Sequence, residues 1–157
     1  MQSPVLHLRE VVEDDPDHGR SSTEITKLHA NWIDYCCLPN DRAWSELYYA
    51  GHRYMYVKDS PDDVLDRFNK AMVDLVNQDI SVLLDYPNLK ENPPFLVYQD
   101  NEKSVLINLT RVKAIRSIAK SKTRFTFSRG YITINLPMEW LNVPQDKVKP
   151  SLRRSSI

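Results

Sequence analysis

Glycine is scarce here: Gly19, Gly51 and Gly130 are the only three in 157 residues. That excludes collagen-like and glycine-rich low-complexity chains. It also excludes a glycine-rich phosphate cradle, which needs several glycines close together. Cysteine is scarcer: Cys36 and Cys37 are adjacent, and neighbours rarely meet disulfide geometry. There is no C-x-x-C, and His7, His18, His29 and His52 are scattered, so no metal-ligand spacing exists. No apolar run approaches the roughly 20 residues of a membrane helix. Residues 1–17 carry five acids and no apolar signal-type segment, so a cytoplasmic chain without a membrane partner is expected. G-x-S-x-G, H-E-x-x-H, P-loop and G-x-G-x-x-G motifs are all missing. The expectation is a non-enzyme with no catalytic residues, no metal and no cofactor. Asn108-Leu109-Thr110 matches a glycosylation sequon, which is idle without export.

What is present suits a folded domain. The chain is 41% hydrophobic and 10% aromatic, too apolar for wholesale disorder. Its net charge of zero conceals a segregation. Residues 1–102 hold 9 basic and 19 acidic residues, a net of −10. Residues 103–157 hold 12 basic and 2 acidic residues, a net of +10. Asymmetry of this kind points to a polyanion partner. The competing reading is internal, with the basic half docked on the acidic half.

Three regions are expected. Residues 1–30 read as an acidic flexible arm, with Glu13-Asp14-Asp15-Pro16-Asp17 followed by His18-Gly19. Residues 31–143 read as the globular domain. Residues 144–157, with two prolines, Lys147, Lys149, Arg153 and Arg154, read as a basic flexible tail. Within the domain, residues 44–49 and 53–57 flank Ala50-Gly51-His52 and predict a hairpin. Ser60, Pro61 and Asp63 give an N-cap, a first-turn proline and a capping box. Val64, Leu65, Phe68, Ala71, Met72, Leu75 and Val76 then recur at helical spacing. After Pro93-Pro94 the period switches to two. Strands are expected at 95–98, 104–109 and 112–118, and a hairpin at 123–136 buries Phe125, Phe127, Ile132 and Ile134 on one side. The fold class is therefore α+β, a mainly antiparallel sheet with one principal helix in a single compact domain.

The basic half supplies the candidate site. Arg124 and Thr126 project opposite Phe125 and Phe127, onto the wet face of a strand. Lys120, Lys122 and Arg129 lie in the turns that bound it, and Arg111, Lys113 and Arg116 lie just upstream. Such a face suits phosphates, each of which releases counterions when neutralised. Tyr131 or Tyr98 would stack on an exposed base.

Residues 103–115, Lys103-Ser104-Val105-Leu106-Ile107-Asn108-Leu109-Thr110-Arg111-Val112-Lys113-Ala114-Ile115, resemble the central motif of LytTR-type DNA-binding domains. The order around it, over residues 31–141, is similar too. The resemblance implies a β-rich transcriptional regulator whose loops contact DNA. It further implies base contact at Lys103 and a second contact near Arg42. A shorter stretch, residues 51–65, resembles small flagellar FlbD-type proteins and implies a protein–protein adaptor with no nucleic-acid contact.

Overall fold

The computed structural model describes residues 4–15, 20–85 and 94–151. Where apolar and polar residues alternate, the backbone is extended. Strands β1 (Val5–Asp15), β2 (Arg20–His29), β3 (Ile33–Pro39), β4 (Ser45–Tyr49) and β5 (Arg53–Val57) precede the one α-helix among the described residues, α1 (Pro61–Gln78). Strands β6 (Phe95–Gln99), β7 (Lys103–Asn108), β8 (Ala114–Ala119), β9 (Lys122–Thr126) and β10 (Tyr131–Ile134) follow. Seven strands form one antiparallel sheet in the order β2-β1-β5-β4-β3-β7-β6, and the last three form a second in the order β10-β9-β8. The fold is α+β.

Helix α1 starts as its sequence dictates. The Ser60 side chain accepts from Asp63 N–H, and the Asp63 carboxylate accepts from Ser60 N–H. Val64, Phe68 and Met72 face the large sheet and meet Leu6, Leu8, Leu47, Val57 and Leu106 in one core cluster. The opposite face of β7 and β3 is covered by the small sheet, through Val105, Ile107, Ile115, Phe125, Phe127, Ile132 and Ile134. Strand β7 is thus buried on both faces, so Val105, Leu106 and Ile107 are apolar without alternation. The arrangement is three layers: helix, seven strands, three strands.

Two expectations about the ends are corrected. The acidic arm expected over residues 1–30 is, where described, the β1–β2 hairpin, with Leu6, Leu8 and Leu28 buried. Its polar composition reflects an edge hairpin that buries one face only. It joins the sheet through the Glu10–Val57 pair and through Asp59, whose carboxylate accepts Arg9 N–H at 2.7 Å and Arg67 Nε at 2.7 Å. The basic tail expected over 144–157 is, as far as Ser151, laid along the edge of β8. Val148 bridges Ile115, Lys149 N–H donates to Ile115 O, and Ser151 Oγ donates to Ser117 O. An edge strand offers unpaired backbone groups, and extended proline-flanked chain can satisfy them. Residues 152–157, with Arg153 and Arg154, lie outside the described residues.

The two sheets are latched at both ends. At one end the Asp100 carboxylate accepts Glu102 N–H and Lys103 N–H through Oδ1 and the Tyr98 hydroxyl and Asn135 Nδ2 through Oδ2. Burial works to raise its pKa, but these four hydrogen bonds outweigh it and hold the carboxyl down at about 2. A lowered folded-state pKa stabilises fully above the unfolded value of roughly 3.9 and is lost as pH falls through the folded one. Acid unfolding followed by tryptophan fluorescence should therefore lose this contribution between about pH 4 and pH 2. Asp100→Asn should flatten the slope in that window, and an unchanged slope would refute the latch. At the other end Asp34, buried, accepts Arg111 Nε at 3.0 Å and Gly51 N–H at 3.0 Å.

Candidate nucleic-acid interface

Strand β9 alternates cleanly. Thr123 and Phe125 point into the sandwich, so Lys122, Arg124 and Thr126 point out. Register sets their neighbours: Arg116, Arg124 and Thr133 lie in one row across the small sheet, and Ala114, Thr126 and Tyr131 in the next. Side chains directly opposite on one face stand about 5 Å apart at Cβ, where like charges repel. Arg116 and Arg124 nevertheless share a row. The Arg124 guanidinium lies 4.2 Å from the Tyr131 ring centroid, a cation–π contact that compensates part of the repulsion. Its Nε is buried and has no hydrogen-bond partner. Tyr131 itself is 56% exposed and presents its ring at the surface.

Among the described residues the two halves share a single ion pair. Among the described residues, the only ion pair across them is Arg111–Asp34; Arg9–Asp59, Arg67–Asp59 and Arg42–Glu46 all lie within residues 1–102. No carboxylate is within ion-pair distance of Lys113, Arg116, Lys120, Lys122, Arg124 or Arg129 among those residues.

The structure therefore divides the nine candidates. Arg116, Lys122 and Arg124 share the outer face of the small sheet; exposed Lys120 sits in the turn at one end and exposed Lys113 just before β8. Exposed Lys149, which sequence reading had assigned to the tail, runs alongside β8. Arg129 lies in the β9–β10 turn at the other end. Three candidates are engaged elsewhere. Lys103, where the family resemblance implies base contact, donates through Nζ to Thr133 O at 2.6 Å. Arg111 is spent on Asp34. Arg42, before β4, pairs with Glu46 at 3.2 Å. Lys103 and Arg111 are taken by partners 30 and 77 residues away, which periodicity does not reveal, whereas Arg42 pairs with a neighbour four residues on.

The other chemistries can be placed as well. Cys36 and Cys37 are both free thiols, and burial pushes Cys36 up to about 12, so it stays protonated. Asn108 of the sequon is buried, donating through Nδ2 to Ile33 O and accepting at Oδ1 from Thr110. Among the described residues no His, Cys, Asp and Glu cluster could hold a metal ion, and no helix is long and apolar enough to cross a membrane. No family model, curated protein or solved structure matches this chain, so the case for the basic face rests on its own geometry and charge.

Proposed function

We propose that this protein is a non-enzymatic nucleic-acid-binding regulator, with DNA as the partner the LytTR-type resemblance implies. It grips phosphates with Arg116, Lys122 and Arg124, aided by Lys113 and Lys120. The observation that carries the reading is the Arg116–Arg124 row beside an exposed Tyr131, with no carboxylate in ion-pair distance among the described residues. A shallow sheet face with an open ring suits a strand whose bases are accessible, since base–aromatic stacking contributes about 1–3 kcal/mol per base.

Fluorescence anisotropy with single-stranded and duplex oligonucleotides, at several salt concentrations, tests it. Five phosphate contacts predict a log–log salt slope of about −3.5 on single strands, or roughly a 130-fold loss between 50 and 200 mM. The double variant Arg116→Glu, Arg124→Glu should abolish binding while leaving the circular dichroism spectrum unchanged. Absence of binding at 50 mM salt, or a salt-independent affinity, refutes the proposal.

One observation favours the adaptor reading as second choice. Among the described residues nothing covers the large sheet over β5, β1 and β2 on the side away from α1. There Tyr54, Tyr56 and Ile25 are exposed, a composition suited to a protein partner.

A further inference from the structure

Each sheet ends in two edge strands, and among the described residues the edges are treated unequally. Residues 148–151 lie along β8. At β10, Lys103 Nζ caps Thr133 O. Strand β6 is only five residues long. Strand β2, by contrast, closes the large sheet with ten residues and contains no proline, and the bulge opposite it belongs to β1. A long edge left open is a template for another strand.

The register identifies the free backbone groups of β2. In an antiparallel pair, facing residues exchange both hydrogen bonds or neither, in alternation. Arg9 turns its backbone to the β5 side: its N–H donates to Asp59 and its carbonyl accepts Lys58 N–H. Its partner Ile25 therefore turns its own N–H and C=O outward, away from β1. Thr23, opposite Val11, and Lys27, opposite His7, share that phase. Beyond the strand end Ala30 N–H donates to Pro4 O, which fixes the same alternation independently. Among the described residues, nothing pairs with these outward groups of Thr23, Ile25 and Lys27.

The side chains of this edge match a copy of themselves. Two antiparallel copies of β2, related by a two-fold axis perpendicular to the sheet, keep like faces together. An axis through Ile25 sets Ile25 against Ile25, Thr23 against Lys27 and Glu24 against Thr26, so no charge meets its like. An axis through Glu24 or Lys27 would oppose like charges. One through Thr26 would place Glu24 against the apolar Leu28, and one through Thr23 would leave Lys27 with no partner in β2. Ile25 is 62% exposed, and only the axis through it lets the copy cover it with the same residue.

We infer that this chain forms a two-fold dimer through antiparallel β2–β2 pairing centred on Ile25. The two large sheets become one. Thr23, Ile25 and Lys27 of one copy exchange backbone hydrogen bonds with Lys27, Ile25 and Thr23 of the second. A second copy suits this edge better than an unrelated strand, because the register that pairs the backbone also separates the like charges. The inference does not depend on nucleic-acid binding.

Sedimentation equilibrium of the full chain over a concentration series should give twice the monomer mass. Ile25→Pro removes an outward N–H and no bond to β1. It should weaken the dimer about tenfold or more while leaving the circular dichroism spectrum unchanged. Ile25→Lys opposes two like charges at the axis and should weaken the dimer with the backbone unaltered. Facing Cα atoms in a hydrogen-bonded pair stand about 5.5 Å apart, within disulfide reach. On oxidation Ile25→Cys should therefore cross-link the dimer, whereas Thr23→Cys and the wild-type chain, with its own Cys36 and Cys37, should not. A monomer mass up to about 1 mM overturns the inference. So does a dimer indifferent to both Ile25→Pro and Ile25→Lys, a mass above two copies, or cross-linking by Thr23→Cys in place of Ile25→Cys.

Discussion

Phe125→Ala should lower the stability of this protein by about 3–5 kcal/mol, the largest effect expected of any single substitution in it. Phe125 is fully buried at the centre of β9, with Ile115 and Ile132 opposite it on either side. Its ring belongs to the cluster in which the small sheet packs on Val105 and Ile107 of β7. Truncation loses the ring's burial and leaves a cavity that two facing sheets cannot collapse around. Natural domains are stable by about 5–15 kcal/mol, so a large share of the total is at stake. Urea unfolding should show the midpoint falling with little change in slope. Phe125→Leu, which keeps most of the volume, should cost about 1.5 kcal/mol or less. A midpoint unmoved by Phe125→Ala would mean the small sheet is not docked on the large one. The effect bears on function as well, because Phe125 and Arg124 are successive residues on opposite faces of one strand. Charge reversal at Arg124 should remove binding with the fold intact, whereas truncation at Phe125 should remove binding by undoing the platform.

Asp59→Ala should cost about 2–4 kcal/mol and should act first on the N-terminal hairpin. Asp59 is completely buried between β1, β5 and α1. Its two oxygens accept Arg9 N–H and Arg67 Nε, and Arg9 Nε lies 3.6 Å away. Breaking a buried charge pair by removing one partner typically costs about 3–5 kcal/mol, because the other group is left uncompensated. Here the arginine side chains are 42% and 37% exposed and recover some hydration, which sets the lower range. The Arg9 N–H, by contrast, is part of a strand with a single residue pair to β5, and Asp59 supplies what the ladder lacks. Hydrogen exchange should therefore show β1 and β2 losing protection before β3, β4 and β7. Uniform loss of protection, or a change in stability below about 0.5 kcal/mol, would contradict this role.

The local elements were legible for a local reason. Strand and helix periods are properties of backbone spacing, so Phe125 and Phe127 against Arg124 and Thr126 identified an exposed face without any knowledge of what covers the other side. Ser60, Pro61 and Asp63 identified the helix start because a cap is satisfied within four residues. The N-terminal hairpin was less legible. Leu6 and Leu8 stand two residues apart, as on one face of a strand, but the acids that follow conceal the pairing that buries them. The C-terminal segment was missed for a related reason: residues 144–151 are ordered by the backbone of β8, some thirty residues earlier, and their own composition carries no trace of it.

The sequence by itself determined the α+β class, the helix with its cap, the solvent face of β9 and the concentration of positive charge after residue 102. Those depend on neighbours in the chain. Only the tertiary structure decided which cations stay free. Arg111 meets Asp34 from 77 residues away, and Lys103 meets Thr133 from 30. A charge is cancelled or kept by whatever the chain path brings within a few ångströms, and that distance is not written in the order of residues.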